Sequence, residues 1–493
     1  MARKKPVEKV TPQAKLSSAI KSARDIMRKD AGLNGDLDRI PQLAWLLFLK
    51  AFDVLEERRA ITERSYRPAI EAPFRWRDWA ADPVNGLTGP DLIGFVNTEL
   101  LPYLRDLTGR GEHDPRDVLA QVFKETFNRM LSGYLLRDVV NKVNEVDFAS
   151  ADDIHTMAHL YESMLREVRD AAGDSGEFYT PRPVIRFIVQ QVDPKLGEIV
   201  LDPACGTGGF LVEALEHVRP QAKTVEQWRE LQSNLRGVEK KPLPYLLGMM
   251  NLLLHEIGQP AIVRSNSLAR PVTQIRAADR VDVVVTNPPF GGEEEKAILT
   301  SFPKATRTTE TALLFLQLIE RVLKPGGRCG MVVPNRLLFG DGVFARVKER
   351  LLRECDLHTI VRLPDGVFAP YTDIPTNLLF FEKSGRTKEV WFYEIAPPEG
   401  RKKYSKTRPT RFEEFADCQA WWGGSAREGR VENEQAWRVP IGEIEADGFN
   451  LDRKNPNRED LAHRSPEELV TELLKTEQEI MRYLEEIRSE FAE

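Results

Sequence analysis

Cysteine is scarce in this 493-residue chain: Cys205, Cys329, Cys355 and Cys418 stand far apart, without a Cys-x-x-Cys pair or a histidine cluster beside them. That spacing argues against a disulfide framework and against structural zinc. The seven histidines include no His-Glu-x-x-His, and no Gly-Lys-Ser or Gly-Lys-Thr occurs, so zinc-protease and phosphate-loop ATPase chemistry are both excluded. Long apolar runs are missing as well. The longest, Leu43 to Leu49, stops at Lys50, far short of the roughly 20 residues that cross a bilayer. The basic start Met1-Ala2-Arg3-Lys4-Lys5-Pro6 is not followed by the apolar core of a secretory signal. A cytoplasmic location and no metal are expected.

What is present is the composition of a folded chain, 41% hydrophobic and 30% charged, and a length that suggests about three units of roughly 150 residues. The formal net charge of -6 resides entirely in residues 465–493, where nine Glu face Lys475, Arg482 and Arg488. The remainder is formally neutral. Within it, Arg401 to Arg411 carries six basic residues and Tyr404 with no acid, a stretch that suits either nucleic-acid phosphates or a solvated loop.

The first 150 residues read as an N-terminal helical domain. Leu16, Ile20, Ala23 and Met27 recur at helical spacing, Leu43 to Leu55 suits a buried helix, and helical patterns return over 117–136 and 154–168. Gly173-Asp174-Ser175-Gly176 then breaks the chain. Over 151–385 short β-branched runs alternate with amphipathic stretches, which predicts a doubly wound α/β domain. The expected strands are Ile199 to Leu201, Leu235 to Val238, a third before Ser265, Val281 to Thr286, Cys329 to Val333, Thr359 to Leu363 and Leu378 to Phe381. Helices are expected at Phe210 to Val218 and Ala312 to Leu323, the second stopped by Lys324-Pro325-Gly326-Gly327. Residues 386–464 read as an irregular extension. In 465–493, Ser465-Pro466-Glu467-Glu468 starts a helix, and Leu469, Leu473, Ile480, Leu484, Ile487 and Phe491 give it an apolar stripe that needs a partner, either the chain's own body or another subunit.

Two constellations carry chemistry. The first is Asp202-Pro203-Ala204-Cys205-Gly206-Thr207-Gly208-Gly209-Phe210, after a strand and opening a helix. Such a glycine turn lets a nucleotide-like ligand approach the backbone. A carboxylate at Asp202 would repel phosphate but suits the ammonium of a methionyl group, and Glu239 at the end of the next strand suits two ribose hydroxyls. Together they outline S-adenosylmethionine. The second is Asn287-Pro288-Pro289-Phe290, directly after the most apolar strand. The prolines fix the backbone and remove N–H groups, leaving the Asn287 side-chain oxygen and the Pro288 carbonyl as acceptors for one amino group. Phe290 supplies a ring for a base extruded from a duplex. Asn287, Pro288 and Phe290 are thus the candidate catalytic residues, and Asn287 to Phe290 the candidate substrate site.

These residues resemble the amino-group DNA methyltransferases, specifically the modification subunit of type I restriction-modification systems. The resemblance covers most of the chain. It includes Gly176-Glu177-Phe178-Tyr179-Thr180-Pro181, the glycine turn, Asn287-Pro288-Pro289-Phe290, Leu323-Lys324-Pro325-Gly326-Gly327, Gly366-Val367-Phe368, Thr376-Asn377 and Phe449-Asn450-Leu451-Asp452. It implies adenine-N6 methylation of double-stranded DNA, with Phe178, Tyr179, Thr180, Pro181, Asp202, Ala204, Gly206, Thr207, Gly208, Gly209, Glu239, Asn266 and Ser267 around the cofactor. At Asn266 many relatives carry Asp to contact the cofactor's adenine amine; an amide oxygen could accept the same bond. The resemblance further implies a separate specificity subunit on the C-terminal helix, a second copy of the chain and a restriction subunit. Cytosine N4, a protein glutamine amide, or a non-catalytic assembly role are the alternatives.

Overall fold

The computed structural model describes residues 12–62, 66–110, 114–146, 180–290, 294–369, 372–398, 400–401, 403–405 and 407–457, with 474, 477–478 and 480–483 beyond them. Among the described residues nine strands make one sheet: β1 Val200–Asp202, β2 Leu235–Glu239, β3 Ala261–Arg264, β4 Val281–Thr286, β5 Leu323–Pro334, β6 Asp356–Arg362, β7 Thr376–Glu382, β8 Glu389–Glu394 and β9 Ala436–Pro440. Their order is β3-β2-β1-β4-β5-β7-β6-β8-β9. The five strands from β3 to β5 are parallel to one another, whereas β7 runs antiparallel to both its neighbours and β9 antiparallel to β8. The order reverses between β1 and β4, and it is at the carboxyl ends of two such strands that an α/β sheet opens a ligand crevice.

The side-chain period of two explains the layering. In β4, Val283 and Val285 enter one core with the helices Arg182–Val192 and Gly209–Val218, while Val284 enters the other with Thr311–Val322 and Val343–Glu354. Both faces are covered, which is why this strand is almost wholly apolar. The helix Pro242–Leu254 packs against the N-terminal helices Asp36–Thr62 and Arg116–Phe123, and an Arg264–Glu125 ion pair joins the same two regions.

Three expectations need correction. The pattern over 117–136 is not one helix: Arg116–Phe123 stops, and Gly133–Asn144 restarts with Ser132 as its cap, accepting from the Leu135 N–H at 3.3 Å. Buried acceptors draw the intervening backbone away from helical pairing, since Gln42 takes the Arg129 N–H and the Asp30 carboxylate takes those of Leu131 and Ser132. Lys324 to Gly327 is not simply a turn after a helix. Leu323 already pairs with Val281, the register shifts, and the ladder resumes at Arg328 opposite Val283. Finally, 386–464 is not an irregular extension. β8 and β9 continue the sheet, with the Phe392 and Trp437 rings stacked 5.3 Å apart, and Tyr404 is buried, donating its hydroxyl to the Glu414 carboxylate at 2.7 Å. That ring is therefore not a stacking surface for nucleic acid. The stretch 154–168 and most of 465–493 lie outside the described residues.

Candidate active site

The glycine turn crosses from β1 to the helix Gly209–Val218 through two left-handed residues, Gly206 (φ +52°) and Gly208 (φ +78°), a conformation that a side chain disfavours. Its groups are held from three directions. Glu239, ending β2, takes the Gly206 N–H at 2.9 Å on one carboxylate oxygen and the Lys241 N–H at 2.7 Å on the other. Asn251 donates its amide to the Thr207 carbonyl at 2.9 Å, and Arg182 donates to the Gly209 carbonyl at 3.0 Å. The helix carrying Asn251 comes so close that a Cβ on Gly248 would lie 2.9 Å from the Gly206 carbonyl oxygen.

Asp202 is only 1% exposed. It accepts from the Thr286 hydroxyl at 2.7 Å and the Ala204 N–H at 3.1 Å. Burial nonetheless dominates and pushes its carboxyl up to about 7, the two hydrogen bonds opposing the shift. Through Thr286, the last residue of β4, this carboxylate is joined directly to the strand that delivers Asn287. The two constellations read from the sequence are thus neighbours on one edge of the sheet.

Asn287 donates its side-chain N–H to the Thr180 hydroxyl at 2.9 Å. Its side-chain oxygen is buried and has no partner among the described residues. Buried acceptors are ordinarily satisfied, so this one is poised for a donor brought from outside. Pro288 is buried and Pro289 exposed. Phe290 is 7% exposed, and Phe368 stands edge-to-face to it with ring centroids 6.4 Å apart.

Thr180 and Pro181 stand at the start of the helix Arg182–Val192, whereas Phe178 and Tyr179 lie outside the described residues. Ser267 donates its hydroxyl to the Pro203 carbonyl at 2.6 Å and so braces the glycine turn. Asn266 is held from both ends of its amide: the oxygen accepts the Leu268 N–H at 3.0 Å, and the N–H donates to Glu294 at 3.1 Å. Sequence reasoning missed Arg182, Asn251, Thr286 and Glu294, and assigned no role to Phe368. Only Asn251 carried a signal, as the lone amide in the otherwise apolar helix Pro242–Leu254.

A reversal of strand order, a carboxylate-pinned glycine turn and an unfilled acceptor on a proline-fixed rim fit a methyltransferase that works on an exocyclic amino group. The model of the N-6 DNA methylase family matches residues 152–463, and that of the HsdM N-terminal domain matches residues 16–143. The methylase subunit of the type I restriction enzyme EcoEI from Escherichia coli is 49% identical over 478 residues, covering 96% of this chain and 97% of that protein. A crystal structure of a type I modification subunit from Vibrio vulnificus YJ016 superposes with a TM-score of 0.84 at 54% identity, covering 94% of this chain and 100% of that one. A second structure, from work on complex assembly and conformational transition of the type I restriction-modification system, has a TM-score of 0.74 at 44% identity over 96% and 98% of the chains. The chain belongs to the N-6 DNA methylase family and is a type I restriction-modification methylase subunit, an adenine-N6 DNA methyltransferase.

Proposed function

We propose that the methyl donor is S-adenosylmethionine and that its acceptor is N6 of an adenine turned out of double-stranded DNA, the site on the DNA being chosen by a separate specificity subunit. The observation that carries this reading is the buried, unfilled Asn287 oxygen, one residue along the chain from Thr286, whose hydroxyl bonds Asp202. When bound, the cofactor supplies an electrophilic methyl group on a sulfonium. The protein's part is to hold and orient. Asp202 faces the methionyl ammonium, Glu239 the ribose hydroxyls, and the turn from Ala204 through Gly206, Thr207, Gly208 and Gly209 lets the ligand approach the backbone. Thr180, Pro181, Asn266 and Ser267 complete this side, joined on the resemblance alone by Phe178 and Tyr179.

The Asn287 oxygen and the Pro288 carbonyl accept the two amino hydrogens of the target adenine. An aromatic amine is a weak nucleophile because its lone pair is delocalised into the ring; holding both hydrogens favours the pyramidal nitrogen that forms as the lone pair bonds to carbon. The methyl carbon–sulfur bond would break as the new bond forms, its electrons remaining on a neutral thioether, and one N–H proton would pass the weakly basic acceptors to water. Phe290 and Phe368 supply apolar walls for the base, with Pro289 at the exposed rim. Cytosine N4 and a glutamine amide would need similar acceptors, and analysis of methylated product nucleosides separates them from adenine.

Asn287→Ala tests the assignment. Methylation should fall by about 100-fold or more, the scale of losing a group that acts chiefly in the transition state, while calorimetric cofactor affinity stays within about threefold. Normal turnover by that variant would refute the role.

Residues 465–493 form the proposed contact with the specificity subunit, through the apolar stripe of Leu469, Leu473, Ile480, Leu484, Ile487 and Phe491. A second copy of the chain and a restriction subunit complete the proposed assembly. The division into 1–150, 151–385, 386–464 and 465–493 is proposed with one amendment, that the third segment shares the sheet of the second.

A further inference from the structure

The amide of Asn266 is fixed in orientation by both its neighbours: its oxygen accepts from Leu268 and its nitrogen donates to Glu294. A flipped amide would set its N–H group against the Leu268 N–H and its oxygen against a carboxylate. One of the two lone pairs of the Asn266 oxygen is therefore committed to its own backbone, and Glu294 is the charged acceptor beside it. The carboxylate of Glu294 stands beside it, 9% exposed, with the Lys240 ammonium 3.2 Å from both of its oxygens. Its backbone is tied by a 3.4 Å hydrogen bond from the Glu294 N–H to the Thr309 carbonyl. Lys240 directly follows Glu239, and the Ser265 N–H bonds the Glu239 carbonyl at 3.0 Å, so Lys240, Asn266 and Glu294 gather just past the proposed ribose acceptor.

A carboxylate offers about four lone-pair positions, and the contacts described do not fill them. We propose that Glu294 is the acceptor for the exocyclic amine of the cofactor's adenine, with Lys240 balancing its charge and Asn266 orienting it. This deepens the cofactor reading above and rests on it. Glu294 lies four residues along the chain from Phe290, so cofactor purine and target base are gripped by one stretch of chain.

Calorimetry on the full chain with S-adenosylhomocysteine and with S-inosylhomocysteine, which carries a keto group where the amine stands, tests this without turnover. A site built around a donor rejects an analogue lacking it. The unaltered chain should prefer the amino ligand by about tenfold or more. In Glu294→Ala the preference should shrink to within about threefold, mainly through weaker binding of the amino ligand. Glu294→Gln is the second variant; with no charge to attract the amine and a donor of its own for the keto oxygen, it too should lose most of the preference. A preference unchanged in a folded variant, or tighter binding of S-adenosylhomocysteine by Glu294→Ala, would overturn the assignment. If the unaltered chain binds neither ligand, the cofactor reading itself fails, an outcome distinct from failure of Glu294 alone.

Discussion

Asp202 holds a carboxylate where water cannot reach it, and its two hydrogen bonds do not offset that burial. Its carboxyl titrates near 7 in the fold and near 3.8 as an unperturbed side chain. A raised folded value means that the unfolded chain ionises first, so stability falls as pH climbs from about 4 and the full penalty is present above about 7. Asp202→Asn keeps an oxygen for Thr286 and Ala204 and removes the charge. It should melt higher than the unaltered chain at pH 8, by an amount on the order of a few kcal/mol at most, with the gap closing towards pH 4. The same variant should bind S-adenosylmethionine at least about tenfold more weakly, and the unaltered chain should lose affinity as pH falls from 7.5 to 6. Calorimetry and thermal melts at these pH values read both effects; an affinity flat across that range would detach Asp202 from the ammonium. Residues such as Asp202 and Asn287 were legible because their chemistry is local to a motif. The role proposed for Glu294 was not, because it comes from Lys240 and Asn266 on other segments, and the Leu268 N–H bond to the Asn266 oxygen is a conformational fact that residue identity does not reveal.

Among elements, the glycine turn and the helix Pro242–Leu254 act as one unit, and two glycines separate the reasons. Gly206 has open space around its missing side chain but a φ of +52°, so Gly206→Ala should lose about 1–2 kcal/mol to backbone strain. Gly248 sits in a helix, and its missing side chain would meet the Gly206 carbonyl oxygen at 2.9 Å. Gly248→Ala must push the helix off the turn, for about 1–3 kcal/mol, and should weaken cofactor binding along with stability. Urea unfolding with calorimetry of both variants checks the contrast; an unchanged cofactor affinity in Gly248→Ala would show the helix to be a bystander. A near-continuous apolar run made β4 readable to the residue, whereas the buried helix around Trp45 and Phe48 was expected at Leu43 to Leu55 and runs longer, over Asp36–Thr62. β8 and β9 escaped although β8 is as long as β4, because the chain between them is rich in proline and basic residues and their pairing is decided by distant partners such as Phe392 with Trp437. The break after Phe123 escaped for a similar reason: Asp30 and Gln42 compete for backbone donors from far along the chain.

At the scale of the whole molecule, the chain beyond β9 returns to the carboxyl edge of the sheet. Asp452 accepts from Arg362 at 2.7 Å, at the end of β6, and from Asn335 at 3.4 Å, just past β5. Asn455 donates to the Glu434 carbonyl and Asn457 to that of Asn433, beside the start of β9. The last continuous described segment is therefore stitched down rather than hanging from the body. Cutting the chain after residue 464 should leave cofactor affinity within about twofold, because every group proposed to hold the ligand remains, yet abolish co-purification with the specificity subunit, the loss expected when a coiled-coil seam is removed. Retention of that subunit by the shortened chain would move the contact elsewhere. The stitching also fixes geometry. If the proposed specificity subunit is tethered beyond this segment and the flipped base enters at the proposed rim, the reader would be confined to that side of the enzyme, and the distance along the duplex between the letters recognised and the letter altered would be set by protein architecture, like the span of a caliper.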